Sequence, residues 1–206
     1  MGTIPFSKIK EVKRLYYEKV LPMKRVAEAL GVSIDALVYF MRKYDLKRRT
    51  TSENEKIKFS KKSATFKIKA NLSEKERKLK NVAISLYWGE GYKSEKAHGV
   101  DFANSDPDMI KVFLNFLRKI CGIDESKLRV YLYCYSNQKP KKLINFWSRL
   151  TEIPHSKFSK PYVRNDFCLE KSGKMKNGLI HIRYYDKKLL IQLLEWIESY
   201  KIRLSY

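Results

Sequence analysis

Hydrophobic positions recur along this chain at helical spacing in some stretches and at strand spacing in others. Between Phe6 and Leu46 the spacing is helical throughout. Ile9, Val12, Leu15, Tyr16 and Val20 form one stripe, and Pro22 closes that helix or opens the next. Val26, Ala27 and Leu30 mark a second helix ending at Gly31, whose backbone tolerates a tight turn. Ser33 is a natural N-cap for a third, with Leu37, Phe40, Met41 and Tyr44 on one face. Periodicity then lapses from Lys47 to Leu72 and returns with Ser73-x-x-Glu76, a capping box. That box opens a helix through Leu79, Val82, Ala83, Leu86 and Tyr87 toward Gly91. A short apolar alternation follows at Gly99 to Ala103, then a helix announced by Ser105-Asp106-Pro107 and running to Gly122. A strand at Leu128 to Tyr135, a helix at Pro140 to Leu150, a strand at Gly178 to Tyr185 and an amphipathic helix at Lys187 to Tyr200 complete the series. Helices and strands alternate after residue 73, which predicts an α+β layer rather than a helical bundle.

Charge changes the picture most. The 206 residues carry 44 Lys and Arg against 22 Asp and Glu, a formal net charge of +22. Such a field speeds and strengthens encounters with phosphates, so a polyanion is the expected partner class. The lapse at 47–72 holds nine Lys or Arg against Glu53 and Glu55, and is expected to be a basic linker or arm along a phosphate backbone. At 44% hydrophobic residues the chain is too apolar for a disordered basic tail. No apolar run approaches the ~20 residues of a membrane span, and the N-terminus has no signal-peptide core. The expectation is a cytoplasmic, nucleoid-associated protein with no membrane partner. Cys121, Cys134 and Cys168 are an odd number without a CxxC pair, which argues against a disulfide framework or a zinc ribbon.

Val26-Ala27-Glu28-Ala29-Leu30-Gly31-Val32-Ser33 resembles the turn of bacterial helix-turn-helix domains, with a small residue where two helices nearly touch. That resemblance implies a DNA-binding domain over residues 1–46, whose third helix enters the major groove. Its outward residues Ser33, Ile34, Asp35, Val38, Tyr39 and Arg42 would then face bases or flanking phosphates. Lys47, Arg48 and Arg49 extend the basic surface into the arm.

The segment Ala83-Ile84-Ser85-Leu86-Tyr87-Trp88-Gly89-Glu90-Gly91 carries the candidate chemistry. Ser85 and Gly89 lie four apart, leaving a helix stripe on which another backbone can approach closely, and Glu90 sits at the helix end. A carboxylate there opposes the helix dipole, so a compensating partner is expected. The segment resembles the motif of the LAGLIDADG homing endonuclease family. Leu86 falls on its fourth residue, Gly89 on its seventh, Glu90 on its acidic eighth and Gly91 on its last. Ala83, Ile84 and Ser85 replace the opening Leu-Ala-Gly, and Trp88 the first Asp. The resemblance covers residues 73–206 and implies a saddle of strands under covering helices, straddling double-stranded DNA. It implies Mg²⁺ at Glu90, and cutting at metal-activated water. With one motif per chain the active unit would be a homodimer, its motif helices packed through Ser85 and Gly89. Lys93, Arg129 and Arg183 would contact phosphates.

Other readings are open at this point. A non-catalytic DNA-binding regulator could use the same fold, and RNA is a possible partner of a basic chain with exposed tyrosines. Pro107-Asp108 with Glu125-Ser126-Lys127 has the letters of a PD-(D/E)xK nuclease, but the first pair reads as a helix start and the second as a turn. Tyr131, Tyr133 and Tyr135 alternate on one strand face and are expected to pack under a helix. Trp147 and Trp196 are expected in the core.

Overall fold

Two separate clusters of buried apolar side chains divide the chain into units Met1–Ser63 and Ala64–Tyr206. The computed structural model describes residues 4–94, 96–165, 173 and 175–204. Cys168 lies outside them, while Cys121 and Cys134 are buried and unpaired.

The first unit is helical. The stripe from Ile9 to Val20, expected as one helix, is a composite of α1 (Ile9–Lys13) and a wider turn at Arg14–Glu18. That turn ends with Lys19 N–H donating to the Arg14 carbonyl, and the chain then reverses at Val20, whose φ is +51°. The second and third helices form as expected: α2 (Met23–Leu30), a left-handed Gly31 at φ +66°, and α3 (Ile34–Lys43). Ser33 caps α3, its Oγ accepting the Ala36 N–H at 3.1 Å. Val12, Leu15, Tyr16, Val26, Ala27, Leu37, Phe40, Met41 and Leu46 fill the core.

The segment 47–72 is not a single arm. Thr50 and Glu53 form a capping box that starts α4 (Thr51–Lys61), a helix with no buried residue. A capped helix that buries nothing needs no apolar periodicity, which is why the pattern gave no warning of it. The remainder, from Ala64, belongs to the second unit. Lys67 N–H donates to the Cys121 carbonyl, Lys69 N–H to that of Ile120, and Phe66 bridges Ile123.

The second unit is α+β. Helices α5 (Glu74–Glu90), α6 (Pro107–Lys119), α7 (Pro140–Thr151) and α8 (Lys187–Leu204) accompany strands β1 (Val100–Asn104), β2 (Leu128–Tyr135), β3 (Tyr162–Arg164) and β4 (Leu179–Tyr184). The sheet order is β1-β4-β2-β3, antiparallel except for the β2–β3 pair. β3 was not foreseen; its three residues are too few for a pattern.

Strand alternation decides which sheet face is buried. Val100 and Phe102, Leu128, Val130, Leu132 and Cys134, and Ile180, Ile182 and Tyr184 form one apolar face, clustered with buried residues of all four helices. Trp147 is fully buried, and Trp196 packs against the cluster. The tyrosines expected under a helix alternate with this face. Tyr131 and Tyr133 are half-exposed on the opposite side, because Leu128 to Cys134 supply the more apolar parity. Tyr135 shares their parity but is 8% exposed at the strand end.

Candidate nucleic-acid interface

The open face is built by cross-strand register. Asp101, Arg183 and Arg129 form one row across β1, β4 and β2, and Ala103, His181 and Tyr131 the next. Leu179, Tyr133 and Tyr162 follow, crossing to β3. The helices serve the apolar side, so these polar and aromatic side chains lie on the face left open.

Asp101 organises the first two rows. Its Oδ1 accepts the Nδ1–H of His181 at 2.8 Å and its Oδ2 the Nε–H of Arg183 at 2.6 Å. The Arg183 guanidinium lies 4.2 Å from the centroid of the Tyr131 ring, and the His181 ring 4.9 Å from that of Tyr133. The Tyr131 and Tyr185 hydroxyls are 2.8 Å apart. The hydrogen bond from Tyr185 draws the Tyr131 phenol below its ordinary pKa, with Arg183 adding to the effect, while the same bond and burial push Tyr185 up.

Glu90 reaches this face because the end of α5 is held tightly. Tyr87 is fully buried, its ring stacked on Phe113 with centroids 5.6 Å apart, and its hydroxyl donates to the Tyr92 carbonyl at 2.8 Å. Gly91 crosses that ring so closely that a Cβ would stand 2.4 Å from it. Tyr92 N–H then donates to the Asp101 carbonyl, tying the turn to β1. Glu90, exposed at the helix end, therefore borders a pocket of about 500 Å³ with Asp101, His181 and Arg183. Lys93 caps the helix end, its Nζ donating to the carbonyls of Trp88 at 2.9 Å and Gly91 at 2.7 Å. A cation on the terminal carbonyls opposes the negative dipole end. Lys93, expected on phosphate, is committed to that cap.

The other sequence candidates separate into two groups. Ile34, Asp35, Tyr39 and Arg42 are exposed along α3 and Val38 is half-exposed, with Arg42 5.9 Å from the Tyr39 ring centroid. Lys47 and Arg48 are exposed as well. Arg49 is turned inward instead. Its Nη1 donates to the Tyr16 carbonyl at 2.8 Å and its Nη2 to that of Leu21, with the guanidinium 3.9 Å from the Tyr16 ring. The wide turn after α1 leaves those carbonyls outside the regular ladder, and a guanidinium fork satisfies both. Arg129 is half-exposed on the open face, its Nη1 donating to the Ser126 and Leu128 carbonyls. Ser85 and Gly89 are exposed on α5, and the space beyond Gly89 is empty to 4 Å.

Sequence reasoning missed Asp101 and His181. A signal existed: on β4 the apolar parity is Ile180, Ile182 and Tyr184, which puts His181 beside Arg183 on the other face. Among the described residues, no three His, Cys, Asp or Glu gather closely enough to hold a metal ion. No helix among them is long and apolar enough to cross a membrane. The chain matches no family model, no curated protein and no solved structure.

Proposed function

We propose that this protein binds double-stranded DNA through both units and that its homodimer is a Mg²⁺-dependent, site-specific endonuclease of LAGLIDADG type. The observation that carries the reading is Glu90, delivered by the end of α5 to the rim of an open sheet face bearing Arg183, His181, Arg129 and tyrosines. A strand surface with basic and aromatic side chains suits a phosphate backbone, and helices confined to the opposite face agree with a saddle. The exposed stripe of Ser85 and Gly89 supports packing of α5 against its copy in a second subunit. In the first unit, a capped α3 with Tyr39 and Arg42 outward supports major-groove reading.

Mg²⁺ is commonly held by one or two carboxylates together with substrate phosphates. A single chain here offers Glu90, since both oxygens of Asp101 are engaged by His181 and Arg183. The donor set therefore fits a shared site, one Glu90 from each subunit completed by DNA. The ion would supply Lewis-acid polarisation of a phosphate oxygen and a hydroxide equivalent. Glu90 holds a carboxylate at the rim, Arg183 offers positive charge to a phosphate, and the Tyr131 ring and Asp101 keep Arg183 in place.

A randomised duplex library incubated with the protein in Mg²⁺ or Ca²⁺, with bound and cut molecules sequenced, tests this reading. Cut ends that need Mg²⁺ and vanish with Glu90→Gln, at affinity unchanged within a few-fold, are expected. Enrichment of bound sites with no cutting in either metal would select the second reading, a DNA-binding regulator using the same fold. Competition between duplex DNA and RNA at matched salt separates the partners.

A further inference from the structure

The pocket beside Glu90 holds a histidine whose role the reading above does not use. His181 is anchored through Nδ1–H to Asp101, so in the neutral ring Nε2 carries the lone pair. Nε2 makes no hydrogen bond among the described residues, although His181 lines the pocket and its side chain is 20% exposed. The anchoring oxygen belongs to the same carboxylate that holds Arg183, so the two side chains are fixed next to each other on β4.

The charges around the ring make its protonation decisive. The pocket contains Glu90 from α5, Asp101 from β1, and His181 and Arg183 from β4. With neutral His181 these four groups sum to one negative charge; with imidazolium they sum to zero. From β2, the Arg129 cation and the Tyr131 and Tyr133 rings face the same rows, and Tyr185 bonds Tyr131 from beyond β4. Tyr92 lines the pocket, and Lys93 is held on the α5 carbonyls. Lys96 and His98 border the adjoining cleft behind Asp101 and Arg183.

We propose that His181 and Arg183, locked side by side by Asp101, form a binding site for one phosphate group of a nucleic-acid backbone, and that proton uptake at His181 Nε2 opens it. The ligand rests on the nucleic-acid reading above; the site rests on the geometry. Imidazolium donates from Nε2 to a phosphate oxygen, while Asp101 retains the Nδ1 proton and stabilises the cation. Neutral imidazole offers only a lone pair, which a phosphate oxygen cannot use.

The test uses the full chain with ¹⁵N-labelled histidine, its three histidines assigned with a His181→Gln variant. Each sample is titrated by pH alone, with a duplex oligonucleotide, and with inorganic phosphate. Neutral His181 is expected to carry its proton on Nδ1. Duplex is expected to raise the pH at which His181 titrates by about one unit, which linkage equates with roughly tenfold tighter binding by the protonated form. Wild-type affinity should fall about tenfold from below to above that titration, and His181→Gln should be flat over the same range. Asp101→Asn should abolish the Nδ1 preference. Duplex that binds without moving the His181 signals overturns the site and leaves the DNA reading standing. Phosphate that moves them where duplex does not bind supports the site and removes the DNA reading. No response to either ligand overturns both.

Discussion

A buried carboxylate helps join the 64–69 segment to the sheet, and its removal tests how the second unit is held together. Asp186 is 5% exposed and follows directly on the strand that bears His181 and Arg183. Its Oδ2 accepts the Thr65 N–H and the Thr65 hydroxyl, both at 2.8 Å, and its Oδ1 accepts the Lys188 N–H at 2.8 Å at the start of α8. Hydrogen bonds to a charged group contribute about 1.5–3 kcal/mol each when measured singly, and bonds sharing one acceptor do not add fully. Asp186→Ala is therefore expected to cost about 3–4 kcal/mol, including the lost helix cap and a stranded Thr65 N–H. Asp186→Asn keeps one acceptor oxygen and should cost about 1–2 kcal/mol. Urea unfolding followed by tryptophan fluorescence reports this unit, because Trp88, Trp147 and Trp196 all lie in it. The pH dependence gives a second reading. Burial pushes the Asp186 carboxyl up, but the hydrogen bonds from Thr65 and from the α8 backbone outweigh it and hold the group below its ordinary value. A depressed folded pKa contributes stability that is fully present above the unfolded value, about 3.9, and is lost as pH falls through the folded one. The gap between wild type and Asp186→Asn should thus be constant near neutrality and shrink below about pH 4. A cost under about 0.5 kcal/mol for Asp186→Ala, or a gap unchanged in acid, would refute the account.

Four further outcomes follow from single positions. Ser33→Ala removes the α3 cap and should cost the first unit about 1 kcal/mol, read as earlier loss of helical circular dichroism; Arg42→Ala should weaken duplex binding at fixed salt with no change in that melt. Gly89→Arg meets open space within the chain and should leave the fold intact, yet halve the mass found by sedimentation if α5 packs on its copy; a persistent dimer would move the interface elsewhere. Gly99→Ala would set a methyl 2.2 Å from the Tyr184 carbonyl oxygen, a backbone atom that cannot swing aside, so a loss of about 1–3 kcal/mol in urea unfolding is expected; an unchanged midpoint would show that the backbone at Gly99 yields easily.

Local signals in the sequence were enough to place most elements. The capping boxes, Pro107 and Gly31 act within a few residues of themselves, and the same local chemistry set α3, α5, α6 and the turn before α3. Charge was equally legible, since it is a sum over residues. The role of individual charges was not. Arg49 and Lys93 read as free cations until the carbonyls of Tyr16, Leu21, Trp88 and Gly91 stood in front of them. The α4 helix showed no periodicity because it buries nothing, and only its Thr50–Glu53 cap betrayed it. Which face of the sheet would be open was written in the alternation of Leu128 to Tyr135, once the apolar parity is taken as the buried one. The pocket itself belongs to tertiary structure. Glu90, Asp101, His181 and Arg183 are spread over some ninety residues, and only antiparallel register between β1 and β4 and the pinned end of α5 bring them together. Helix ends and charge are decided by near neighbours along the chain, whereas a site is decided by long-range strand pairing.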